Sequence, residues 1–522
     1  MDYSFSLLTK AFFILIYPCI TGAPDNPNFS SPSSSSSTLN LNTETEQIFT
    51  RDYYKNVSIA IIGAGFSGLS AARKLRNAGF TNVDIFEAEN RIGGRVYPIP
   101  FENGYLQQGA EYINGQANPI FEMALRLGIV TSEDEDYEHM EDATLWTGEC
   151  QIRQDLREAF AEFSNNLEDE YHKMSENSEF WTLTVGEVYE KSYEKFLEAN
   201  RPSIKSKKIF DALSRFYKSY YETEWSSPVN KLALHNYAQW DDKSSKSTSF
   251  SLNNLGYKII LDEISKDIPE RSIHLNSTVT LVDYTGEQTI LTLANGTSYT
   301  YDYIIVTVPL GHLKKHARQM FVPHLPQKKL VAIDTLGFGS NLKVFLIYDK
   351  PFWQGNFSEE DSSVIVPLYI QDCGQKTLVS EYLHSAEPLA WNKNILVLWF
   401  FGEGPEIISK LNDDELNIEL TEIFKNSLQN STLLKAQKVI RTSWISNPNF
   451  YGTYSFITPE ASKLSEGANK LLGRPVYRNK KPRILFAGEA THSRIYQTTI
   501  GAYLSGSREA DRLINYLSCE NS

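Results

Sequence analysis

The sequence predicts an α/β protein in which a nucleotide-binding βαβ unit is interrupted by a second region. Three stretches predict it. In "SIAIIGAGFSGLSAARKL", residues 58–75, an apolar β-rich run meets a glycine turn and then residues at helical spacing. In "VDIFEAENRIGGRV" a second apolar run ends on an acid and a Gly pair follows. Near the C-terminus, "RILFAGEATHSRIYQTTIGAYLSGSREADRLINYL" reads as strand, polar turn and helix.

Gly63, Gly65 and Gly68 stand in G-x-G-x-x-G spacing. The first permits the tight turn, the second admits a pyrophosphate to the backbone, and the third lets helix and strand pack closely. The helix then offers unpaired N–H groups to the phosphates. Glu87 stands at the end of the second strand, where a ribose-binding carboxylate belongs. An acid there repels a 2′-phosphate but does not separate NAD from FAD. Gly93, Gly94 and Arg95 supply a second close backbone approach and a cation suited to phosphate.

The chain has 522 residues, enough for two domains. Its net charge of −14 argues against nucleic-acid binding, which favours basic surfaces, and suits a cationic substrate. Lys10, the apolar run "AFFILIYPCI" and the small residues to Ala23 read as a secretory signal peptide, residues 1–23, with an uncleaved anchor or secretory-pathway lumen as the alternative. Residues 24–50 are Ser-rich and read as a disordered linker. No other apolar run is long enough to span a bilayer. Cys150, Cys373 and Cys519 remain after signal cleavage, so at most one internal disulfide forms, with its pairing open. The sequons at Asn28, Asn295, Asn356 and Asn430 fall in predicted surface segments, unlike those at Asn56 and Asn276.

Residues 118–127 predict a helix, and residues 133–142 an acidic solvated loop. Residues 151–221 are helical in pattern and interrupt the nucleotide fold. Residues 255–268 predict a Gly-led helix, and residues 273–306 alternate as strands. Residues 330–353 open a second strand-rich block that runs to about residue 445.

Taken in order, "IIGAGFSGLSAA", "FEAENRIGGRV", "LQQGAEYINGQANPI", "LGYKIIL", "VTVPLGHL", "LKVFLIYDKPFW" and "FAGEATH…TTIGAYLSGSREA" resemble the flavin-containing polyamine oxidases, from residue 57 to 517. The nearest pattern is that of the spermine oxidase and N1-acetylpolyamine oxidase group of the FAD-dependent amine oxidases. The resemblance implies a two-dinucleotide-binding, Rossmann-like FAD domain with an inserted α+β substrate domain. Residues 57–130, 247–330 and 455–518 would form the first, and residues 131–246 and 331–454 the second. It implies flavin-mediated hydride abstraction beside an amine nitrogen, imine hydrolysis and return of electrons to O2 as H2O2.

By the same resemblance Glu87 meets the adenosine ribose, Arg95 a phosphate or the flavin, Val279 the adenine through its backbone, and Glu489 the ribityl–pyrophosphate. Thr498 and Thr499 bring the "TTIGA" turn to the flavin. Lys343 corresponds to a lysine that holds a water against flavin N5, and shielding it from water would favour a proton-transfer role. Asn114, Tyr454 and Tyr496 are the predicted substrate contacts. Two departures bear on substrate: Asn114 stands where the family often has His or Glu, and Ile500 where it often has His. Thr453 replaces the cysteine by which monoamine oxidases bond flavin, which implies non-covalent FAD. His492 reads as a turn residue. Oxidation of monoamines or L-amino acids, or an FAD-binding protein without activity, are the alternative readings. Oligomeric state is open.

Overall fold

The computed structural model describes residues 54–135, 143–243, 248–353, 364–373 and 376–520. The predicted signal and linker, the sequons at Asn28 and Asn356, and residues 136–142 of the acidic stretch lie outside the described residues.

The strand Ser58–Ile62 is buried along its whole length, as expected of a strand covered on both faces. It pairs in parallel with Tyr303–Val306 on one side and Asn82–Phe86 on the other. Lys481–Phe486 and Ile273–His274 extend the sheet outward, also in parallel, and Val476–Arg478 closes one edge antiparallel, giving six strands. Gly63, Glu87, Thr307 and Ala487–Gly488 therefore follow the carboxyl ends of four adjacent strands. That edge is where open α/β sheets bind ligands. The helix Phe66–Asn77 follows the first strand and packs against the C-terminal helix Thr499–Glu520.

Gly63 has φ +107°, a conformation that glycine alone adopts without strain. At Gly68 a Cβ would lie 2.0 Å from the Gly63 carbonyl oxygen, so only glycine lets the helix sit this close to the strand.

A second six-stranded sheet runs Lys438–Arg441, Leu342–Ile347, Ile395–Phe400, Leu383–Pro388, Ile365–Pro367, Thr144–Trp146. Its register aligns Lys343, Trp399 and Ser385 in one row. The helices Gln154–Ser175, Val185–Asn200 and Ile204–Glu224 form an aromatic core with Phe160, Tyr189, Phe210 and Tyr217. Cys150 and Cys373 form a disulfide across 223 residues, which assigns the pairing left open by the sequence.

One predicted element changes type. Residues 330–335 read as the start of a strand block but belong to the helix Gln327–Thr335. Pro326 stands at its N-cap, and Leu330, Ala332 and Ile333 pack into the core, so tertiary burial overrides the β-rich local composition. The strand begins later, at Leu342.

Candidate active site

A cavity of about 790 Å³ is lined by residues from both six-stranded sheets and from the long helices. Its two ends differ in chemistry.

Gly63, Gly65, Glu87, Gly93, Gly94 and Arg95 line the cavity, as do Val279, Glu489, Thr498 and Thr499. Gly68 packs helix on strand. The buried Glu87 carboxylate accepts Ala64 N–H at 2.6 Å and Glu89 N–H at 2.8 Å. Burial raises its pKa against the opposing effect of those two bonds. Arg95 Nη1 lies 3.0 Å from Glu489 Oε1 and also donates to the Thr453 carbonyl. Glu489 Oε2 accepts from Ser455 Oγ at 2.7 Å and Gln497 N–H at 3.0 Å. Thr498 caps the C-terminal helix by accepting Gly501 N–H at 3.0 Å, and the Thr499 hydroxyl lies 2.9 Å from that of Tyr257. The N-terminus of a 22-residue helix thus opens on the cavity. Val279 begins the strand Val279–Asp283.

These residues fit FAD. The glycine turn leaves no side chain in a phosphate's way, and Glu87 stands beside it for a ribose. Arg95 supplies the cation. Buried amide atoms of residues that line the same cavity, both of Gln108 and Nε2 of Gln497, have no hydrogen-bond partner among the described residues. Such groups are costly to bury unless a ligand meets them.

At the other end lies Lys343. It is buried, with its ammonium 2.8 Å from Glu111 Oε2 and 5.0 Å from the centroid of Trp399. A strand lysine more often reaches solvent, but here the sheet face turns it into the cavity. Glu224 and Glu387 line the same space. Burial, then the charge of Glu111, pushes the Glu387 carboxyl up to about 7. Burial pushes Glu224 up to about 7 as well. Glu224, Glu387 and Trp399 stand in none of the motifs quoted above, and Glu111 stands in one, "LQQGAEYINGQANPI", without having been singled out. The row that pairs Lys343 with Trp399 and Ser385 places Trp399 and, two residues on, Glu387, while Glu111 and Glu224 come from other segments; sequence reasoning missed all four.

Asn114 lines the cavity from the strand Ile113–Asn114. Tyr454 also lines it, but its hydroxyl is committed to the protein: it donates to the carbonyls of Thr223, at 2.9 Å, and Glu224, and accepts from Asn341 Nδ2 at 2.7 Å. Tyr496 is the exception among the predicted contacts. It is fully buried, donates to Asn236 Oδ1 at 2.9 Å and packs in the core instead of lining the cavity. Ile500 is likewise core. His492 Nδ1 accepts Ile495 N–H at 3.0 Å, a turn bond, and burial lowers its pKa to about 4.

Residues 66–514 match the family described as flavin containing amine oxidoreductase. The chain is 26% identical to the peroxisomal N(1)-acetyl-spermine/spermidine oxidase of Bos taurus, over 87% of this chain and 94% of that protein. It is 28% identical to the probable polyamine oxidase 5 of Arabidopsis thaliana, over 89% of this chain and 99% of the relative. A solved structure of putrescine oxidase bound to putrescine superposes with a TM-score of 0.62 at 16% identity, covering 88% of this chain and 99% of that one, which shows the shared fold. With the nucleotide crevice, the buried lysine and this match over most of its length, the chain belongs to the flavin-containing amine oxidoreductases and is an FAD-dependent amine oxidase.

Proposed function

We propose that the chain is a secreted polyamine oxidase that cleaves a C–N bond of spermine, spermidine or their acetylated forms. The observation that carries this reading is the balance of charge beside Lys343. The cavity wall holds the cations Lys343 and Arg95 among its Lys and Arg side chains, and each is ion-paired, with Glu111 and Glu489 respectively. Glu224 and Glu387 enter no ion pair among the described residues, and the Lys343 charge only partly offsets the burial of Glu387. Buried carboxyls in that state favour a ligand that brings positive charge. The similarity to polyamine oxidases points the same way.

Bound FAD supplies the two-electron acceptor and its reoxidation by O2. The chain's own part is to orient the amine and manage its protons. An amine must lose a proton before its nitrogen lone pair can assist C–H cleavage. A carboxyl that titrates near neutrality, like Glu387, can hold that proton. Trp399, Phe216, Tyr220 and Tyr221 line the cavity and are aromatic side chains of the kind that a cationic chain packs against. Lys343, fixed by Glu111, presents an ammonium that can hold a water or polarise a nearby group. Thr453 offers a hydroxyl and no thiol, which supports non-covalent FAD.

The Cys150–Cys373 disulfide supports passage through an oxidising compartment, in keeping with the signal-like N-terminus. The test of substrate is anaerobic reduction of the bound flavin. Spermine or spermidine should bleach its yellow band, whereas benzylamine and L-leucine should not. Bleaching by the latter pair alone would reject the proposal. For secretion, the N-terminal residue of protein recovered from culture medium should follow Ala23.

A further inference from the structure

Glu89 does not line the cavity, yet its N–H, its carbonyl and its carboxylate each reach a segment that does. The N–H donates to Glu87 Oε1 at 2.8 Å. The carbonyl accepts Asn276 N–H at 3.0 Å, beside Ser277, whose own N–H meets the Glu87 carbonyl at 2.7 Å. The carboxylate Oε1 accepts Asn449 Nδ2 at 2.5 Å and Asn447 Nδ2 at 3.3 Å, from residues 360 and 358 positions away. Glu87, Ser277 and Asn449 all line the cavity.

Residues 447–453 are built as a strap. Asn447 shapes it: its Oδ1 accepts Asn449 N–H at 2.9 Å, and its carbonyl accepts the N–H groups of Phe450 and Tyr451, each at 3.0 Å. Pro448 is exposed, whereas Phe450 is buried, lines the cavity and packs edge-on against Trp444 with ring centroids 5.1 Å apart. One side of the segment therefore meets solvent and the other meets the cavity. The helix Leu310–Met320 braces it. His312 Nδ1 lies 3.1 Å from the Pro448 carbonyl oxygen, and a Cβ on Gly311 would lie 2.2 Å from that of Phe450. At the far end the Thr453 carbonyl accepts from Arg95. The turn that follows the strand Asn82–Phe86 thus holds both ends of the strap, one through Glu89 and the other through Arg95.

We propose that residues 447–453 close the cavity over bound FAD and that Glu89 is the positioning residue that latches them, so that this latch sets the rate at which FAD leaves. Charge alone argues against a glutamate here. Its anion stands near the Glu87 carboxyl and helps to raise that group's pKa, and the pyrophosphate of FAD is an anion too. What offsets this cost is the pair of amide donors that the carboxylate holds. Hydrogen bonds to an ionised acceptor are about twice as strong as neutral ones. The two roles have opposite signs. A glutamate that acts only through its field weakens FAD binding, so its removal would tighten the cofactor. A glutamate that holds the strap retains FAD, so its removal loosens the cofactor.

The test follows FAD release from the diluted holoenzyme by the return of free-flavin fluorescence, with no amine present. Glu89→Ala should release FAD about tenfold faster than wild type. Asn449→Asp sets a second carboxylate against Glu89 and should release it at least as fast. Glu89→Gln combined with Asn449→Asp restores one amide donor facing one carboxylate, in the reversed order. That double variant should return the rate to within about threefold of wild type. Release that is unchanged or slower in Glu89→Ala would overturn the inference, since it would leave the charge as the only role. A double variant that loses FAD as fast as Asn449→Asp alone would overturn it as well. If Glu89→Ala does not fold, the comparison of Asn449→Asp with the double variant decides the matter by itself.

Discussion

Lys343, on the strand Leu342–Ile347, and Glu111, outside any strand, form a buried ion pair with 2.8 Å between Nζ and Oε2. The lysine side chain is 4% exposed and the glutamate 16%, so water screens the pair weakly. Removing one partner of such a pair leaves the other as an uncompensated charge, at a cost of about 3–5 kcal/mol.

Lys343→Met should therefore do two things. It should lower kcat by about 10²-fold or more if the ammonium takes part in proton or water positioning. It should also leave FAD bound, because the nucleotide end of the cavity holds none of its contacts. Steady-state kinetics with flavin quantified on the same sample checks this. Wild-type kcat in the variant would remove Lys343 from the chemistry.

Glu387 sets a pH dependence. Its carboxyl titrates near 7 in the folded protein and at 4.5 unperturbed, raised mainly by burial. A raised carboxyl pKa gives stability that is complete below 4.5 and lost as pH rises through about 7. A bound diamine reverses the trend by pairing with the ionised form. Thermal shift with 1,8-diaminooctane should thus grow between pH 5 and pH 8, by about 2.3RT of binding free energy per pH unit at most for one coupled proton. Glu387→Gln should flatten the dependence.

The glycine turn separates space from chemistry. Gly68→Ala forces a Cβ to 2.0 Å from the Gly63 oxygen and should displace the helix Phe66–Asn77, releasing FAD. Glu87→Gln keeps the size but removes the charge and turns one of the two acceptor oxygens into an NH2 that faces a backbone N–H, so it should weaken FAD binding by about tenfold or more while the protein stays folded. Equilibrium dialysis of FAD with circular dichroism distinguishes the two. Full flavin retention in Gly68→Ala would contradict the packing.

Reduction of Cys150–Cys373, or Cys150→Ser with Cys373→Ser, should cost about 2–4 kcal/mol in urea unfolding, for a loop closed over 223 residues. The flavin band should be intact before the transition, because neither Cys150 nor Cys373 lines the cavity.

How much of this was legible in the sequence depends on the range of the interaction. Gly63, Gly65, Gly68 and Glu87 were legible because turn, helix start and ribose acid act within one βαβ unit, and local spacing encodes them. Lys343 was reached by resemblance; its strand pattern by itself favours solvent. Glu111, Glu224 and Glu387 were not legible, since they meet only when three distant segments converge, and register across strands has no local signature. Tyr496 was misplaced for a related reason. An aromatic in a turn near the flavin can face either way, and its bond to Asn236, 260 residues distant, decides it. Residues 330–335 show the same limit for secondary structure: a β-rich run became helix because Pro326 starts one and the core accepts its apolar face.

The most direct measurement is peroxide release by the purified, FAD-loaded protein with spermine, spermidine, N1-acetylspermine, benzylamine and L-leucine. The account predicts peroxide with the polyamines and none above background with benzylamine or L-leucine. Silence with every polyamine, from protein that carries yellow oxidised flavin, would contradict it.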